Sequence, residues 1–127
     1  YEYDIEEARK MKVSEIQLFD KSNSVNSFDL LGKSMWLDKS TRVGLFNSIS
    51  IEKNAGKTHT ILWYDAVKYV ILIPDALAML NALELYALNC YNVTQSHIAA
   101  VKSLQTIEEI ENYDYTVGYP VKLSFPG

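Results

Sequence analysis

Gly56-Lys57-Thr58 has the ending of a phosphate-binding loop, so nucleotide chemistry is the first reading to test. That motif needs a glycine five residues before the second one, and position 51 is isoleucine. It also runs strand, loop, helix, whereas the pattern around Gly56 reads helix, loop, strand. No helix N-terminus would then present its amides to a phosphate, and nucleotide binding is rejected. His59, His97 and Cys90 are the only soft or borderline metal ligands in the chain. None has a second Cys or His at ligand spacing, so no metal site is expected. Cys90 has apolar neighbours and reads as a buried, inert thiol. His97 falls in the first turn of an expected helix and reads as a capping-region or surface residue.

Nucleophilic catalysis needs an activated Ser, Cys or Thr with a base and an orienting acid. No Gly-x-Ser-x-Gly occurs. The serines at 22, 24 and 27 cluster where a turn explains them. The acid pairs Glu6/Glu7 and Glu108/Glu109 fall in first turns of expected helices, where the helix dipole accounts for them. Two acids of a glycosidase need not be close in sequence, so a small hydrolase stays as a third reading. No catalytic, cofactor-binding or metal residue is assigned, and no cofactor is expected.

Aromatic residues carry the remaining signal. The chain has nine tyrosines, and Tyr113, Tyr115 and Tyr119 fall within seven residues. Exposed, they would stack on sugar rings or anchor a protein partner. The favoured alternative is a tail draped over the domain, each ring covering apolar surface. Trp36 and Trp63 complete the set of candidate ligand or partner contacts, with Tyr64 and Tyr69 beside them on strands. Asn92-Val93-Thr94 matches the glycosylation acceptor pattern, but helix capping explains it.

The elements that must hold these residues follow from periodicity and punctuation. Residues 4–19 read as a helix with a thin apolar stripe and acids crowding its start. Phe28–Leu31 and Lys33–Leu37 form a hairpin around Gly32. Asp38, Ser40 or Thr41 caps a helix over about 41–53, with Leu45, Phe46 and Ile49 inward and Arg42 and Glu52 outward. Asn54-Ala55-Gly56 stops it. Thr58–Tyr64 and Val67–Ile73 are the clearest strands, joined by Asp65-Ala66. Ile71-Leu72-Ile73 is continuously apolar, which predicts a strand covered on both faces.

Asp75 is expected to cap the next helical region, which carries only three charges down to Gln105. One helix of that length would reach about 46 Å, against a radius of gyration near 14 Å for one compact domain. A break is therefore expected: a helix over 75–90, a corner near Asn92, then a helix over 94–104. Thr106 opens a short helix to about Asn112, and Tyr113–Gly127 is an extended tail. The fold class is α+β: two β-hairpins forming a small antiparallel sheet, packed against helices in the order α-ββ-α-ββ-α-α-α. A single domain over 1–127 is expected. It comprises an N-terminal helix (1–22) that continues from an upstream region, a ββα-ββα core with C-terminal helices (23–112), and the tail (113–127).

Composition limits the partners. Of 127 residues, 48% are apolar and 22% charged, which is the balance of a packed domain. Sixteen acids against twelve bases give a net charge of −4, the wrong sign for neutralising nucleic-acid phosphates. No apolar run approaches 18 residues, so no membrane span is expected. One cysteine excludes an intramolecular disulfide. The chain begins at Tyr1 without methionine or a visible leader, which reads as a piece of a longer protein.

Several stretches together carry a resemblance. They are Met35-Trp36-Leu37-Asp38 with Thr41-Arg42, Leu62-Trp63, Leu83-Glu84-Leu85-Tyr86-Ala87-Leu88, and the ending from Tyr113-Asp114-Tyr115 through Gly118-Tyr119-Pro120 to Leu123. Phe28 to Phe125 resembles a domain of unknown function found in phages and prophages of gut bacteria. The resemblance implies a domain at or near the C-terminus of proteins encoded among phage tail genes, and it brings no catalytic residue with it. The expectation is a non-enzymatic structural or accessory domain of a phage or prophage tail, in the virion or the bacterial host cytoplasm. Its partners would be other tail proteins or further copies of itself. A receptor- or glycan-binding module using the tyrosines is the alternative.

Overall fold

The computed structural model describes residues 4–125. Residues 1–3 of the expected N-terminal segment and 126–127 of the expected tail lie outside them. Within 4–125 the α+β class holds, with two hairpins among helices in the expected sequence order. The chain divides into two compact units, each built from segments distant in sequence.

One unit joins Ser27–Tyr86 to the residues from Lys122 on. It opens with strands β1 (Phe28–Leu30) and β2 (Lys33–Met35), an antiparallel pair turning through Leu31 and Gly32. Both turn residues have positive φ, 52° and 81°, the geometry of the two-residue turn that matches strand twist. Asp38 then accepts the Thr41 amide at 2.8 Å and caps α2 (Lys39–Asn54), the second helix of the chain. Gly56, with φ of 85°, turns the chain out of it. Strands β3 (His59–Tyr64) and β4 (Val67–Leu72) pair antiparallel in full register. Their turn is Asp65-Ala66, at φ 50° and 60°. Helix α3 (Ile73–Ser103) follows directly, and its residues through Tyr86 belong to this unit. Phe28, Leu62, Ile73, Leu80 and Leu83 anchor the unit's core.

The other unit joins the segment up to Asn26 to Ala87–Val121. It holds the first helix, α1 (Ile5–Asp20), capped by Asp4, whose carboxylate accepts the Glu7 amide. It also holds the rest of α3 and the short helix α4 (Ile107–Glu111), capped by Thr106 as its sequence signature requires. Its own core gathers Ala8, Ile16, Val101 and Ile110, each 3% exposed or less.

The structure corrects several expectations. Helix α3 runs 31 residues without the corner expected near Asn92. Within the helix no glycine or proline follows Pro74, which sits in the first turn where proline is tolerated. Thr94 aims its hydroxyl at the Asp20 carboxylate rather than at a helix start. The length argument assumed one compact core, and α3 contributes residues to two. The helix also starts two residues early, so Asp75 lies in its first turn and does not cap it. The hairpins lie in separate sheets, because β1 pairs on its other side with a strand unseen in the sequence, β5 (Ser124–Phe125), which runs parallel to it. The pair β3–β4 stands as a two-stranded sheet, and β4 is not covered on both faces: Val70 is 56% and Leu72 48% exposed. In α2, Arg42 is buried while Phe46 is partly exposed, the reverse of expectation.

Candidate functional site

The tyrosine-rich segment is packed by its own chemistry. His97, on α3, is 7% exposed, not at the surface. Its Nε2 lies 2.8 Å from the Val117 carbonyl and its Nδ1 2.6 Å from the Tyr113 hydroxyl. A carbonyl only accepts, so Nε2–H donates to Val117, and in the neutral ring Nδ1 accepts from Tyr113. Thr94 donates to Asp20 at 2.8 Å, so the Tyr119 hydroxyl, 2.6 Å away, donates to Thr94. Phe19 meets the rings of Tyr115 and Tyr119 at 5.6 and 5.5 Å. The Lys12 ammonium sits 5.6 Å from the centre of the Tyr115 ring. Burial raises the pKa of the Tyr113, Tyr115 and Tyr119 hydroxyls above the ordinary value, with nearby carboxylates adding to it. The three rings are half-buried and engaged, which accords with a tail whose rings cover apolar surface.

Trp36 is also engaged. It meets Phe28 and Tyr86 edge-on at 6.4 and 6.2 Å, and the Arg42 guanidinium lies 5.2 Å from its ring centre. Arg42 in turn donates from Nε to Glu84 at 2.6 Å and from Nη1 to the Leu37 carbonyl at 2.5 Å. These contacts join α2, the first half of α3 and the loop after β2. Cys90 is buried. His59 is exposed, with its Nδ1 2.8 Å from the Thr58 hydroxyl. Among the described residues no three His, Cys, Asp or Glu side chains gather as a metal site requires. Among the described residues no helix is long and apolar enough to cross a membrane.

Trp63 differs from the other candidates, being 62% exposed. Register places it on one face of the hairpin with Ile61, Val70 and Leu72, since Ile61 pairs with Val70 and His59 with Leu72. Thr60, Leu62 and Tyr69, on the opposite face, are buried. The bare face therefore carries four large apolar side chains, each 48% exposed or more. Singly such residues are ordinary; contiguous on one face, they mark an interaction surface.

Beside this face runs an apolar groove of about 620 Å³. One wall is β4 at Val70, Ile71 and Leu72. The other is Leu31 and Phe125, and Ala78 and Met79 of α3 form the floor. Sequence reasoning missed both the face and the groove. Strands β3 and β4 are apolar on both faces, which reads as double burial, and the missing cover leaves no local trace. Leu31 gave the one available signal, as a large side chain where the turn asks for Asn or Gly. No protein-family model, curated protein or solved structure matches the chain.

Proposed function

We propose that the chain is a non-enzymatic structural or accessory domain of a phage or prophage tail protein, acting through protein–protein packing. The observation that carries the packing role is the bare apolar face of the β3–β4 hairpin: Ile61, Trp63, Val70 and Leu72 beside one another and open to solvent. At about 25 cal/mol per Å² of apolar area removed from water, covering several such chains supplies a few kcal/mol toward association. The tail assignment rests on the family resemblance of Phe28 to Phe125.

Light scattering across a concentration series, with and without candidate tail proteins, tests the reading. Association is expected, and Trp63→Ser is expected to weaken it at least tenfold while leaving the melting temperature unchanged. A strict monomer at high concentration with no affinity for tail proteins sinks the proposal.

A further inference from the structure

We propose that the groove between β4 and the β1–β5 edge is a docking site for an extended, apolar peptide segment of a partner protein carrying one basic side chain. This rests on the packing role proposed above and names the kind of partner. Three features define the occupant.

The first is backbone. Both strands of a two-stranded sheet are edges, and an open edge offers unpaired N–H and C=O groups. The two-residue turn makes Tyr64 and Val67 a hydrogen-bonded pair, and such pairs alternate along the register. The bond from the Ile73 amide to the Thr58 carbonyl, 2.9 Å, continues that alternation. Val70 and Leu72 therefore turn their N–H groups away from β3, on the strand that walls the groove. Val70 to Leu72 gives about 10 Å of edge, room for three residues of an added strand.

The second is charge. The groove is apolar along Leu31, Val70, Leu72, Met79 and Phe125. His59 and Asp75 also line it: the His59 ring is engaged by the Thr58 hydroxyl, while Asp75 is exposed and has no side-chain hydrogen bond or ion pair among the described residues. An apolar segment with a lysine or arginine complements that lining, whereas an acidic one meets like charge. A folded second copy fits poorly. A stable dimer buries about 800 Å² per partner, far more than a groove three strand residues long supplies.

The third is Leu31. It stands 50% exposed on the groove wall at φ 52°, a region that disfavours large side chains. Asn would suit the turn better. The leucine spends folding stability to place an apolar chain at the groove.

The test uses the full chain, labelled for amide NMR. It is titrated with a blocked heptapeptide alternating valine and threonine around one central lysine, and with the same peptide carrying glutamate. The expected result is saturable shifts at the Val70, Leu72 and Phe125 amides with the lysine peptide, and at least tenfold weaker binding of the glutamate peptide. Asp75→Lys, an exposed change, should reverse that order. Leu31→Asn should weaken the lysine peptide several-fold while holding or raising the melting temperature. Equal binding of both peptides overturns the proposal, as does absence of shifts at these amides. So do concentration-dependent shifts at these amides without peptide that persist in Trp63→Ser, which would mean that a second copy fills the groove itself. Trp63→Ser, run alongside, separates the failures. If self-association still depends on Trp63 while neither peptide binds, only the groove proposal falls.

Discussion

Arg42 illustrates how a charged side chain becomes an organising residue. Its side chain is 5% exposed, and its guanidinium serves three groups: the Glu84 carboxylate, the Leu37 carbonyl and the Trp36 ring. Removing it leaves a carbonyl unsatisfied and strips one face of Trp36. Arg42→Ala should cost about 2–4 kcal/mol in urea denaturation. Glu84→Gln should cost about 1 kcal/mol or less, because the Glu84 side chain is 41% exposed. The sequence placed Arg42 on the outer face of α2 because charged residues are rarely buried without partners. Those partners, 5 and 42 residues away in sequence, are invisible to local periodicity. His97 was misplaced for the same reason, since its acceptor and donor lie 20 and 16 residues away. The tyrosine tail gives a pH dependence with a defined sign. Tyr113, Tyr115 and Tyr119 have raised pKa values in the folded chain, chiefly because burial disfavours the phenolate. Their stabilising contribution is complete below the unfolded value of about 10 and is lost as pH rises through the folded values. Thermal unfolding from neutral pH to above about 10 should show stability falling on the alkaline limb, and Tyr119→Phe should flatten that fall.

Elements were legible where their signals are local. The Asp38 and Thr106 caps, the Gly56 stop, and the turns at Gly32 and Asp65-Ala66 all lie where turn and capping chemistry put them. The long helix and the fifth strand were not legible. A two-residue strand carries no periodicity, and β5 exists only because β1 offers it an edge. The continuity of α3 gives a direct test. Asn92 is exposed in mid-helix, so Asn92→Pro should remove a ladder hydrogen bond and cost about 3 kcal/mol or more. A cost near zero would restore the corner. The β3–β4 turn gives a test of opposite sign. Ala66 sits at φ 60°, so Ala66→Gly should raise stability by about 1 kcal/mol, measured by the shift in denaturation midpoint.

At the scale of the whole molecule, a net charge of −4 makes copies repel weakly, so the bare apolar face is the feature that favours self-association. Raising salt from about 0.05 to 0.5 M should therefore strengthen association or leave it unchanged, because screening removes the repulsion and leaves apolar burial intact. Sedimentation at the two salt concentrations reads this out, and weakening at high salt would assign the contact to ion pairs. The two cores follow from the same lack of local information. Phe28, Leu83 and Ile16 are all buried apolar side chains, but nothing in their own neighbourhoods says that Ile16 packs with Val101 and Ile110 rather than with Leu83.

The strand β5 ties residues near 125 to β1, which begins at residue 28, while the unit containing α1 draws its second half from Ala87–Val121. The two centres therefore mature at different moments of synthesis. The cluster around Phe28 and Leu83 has all its buried members once residue 83 is made, and β5 only adds a margin later. Ile16 must wait for Val101 and Ile110, so the first helix emerges from the ribosome long before anything covers it.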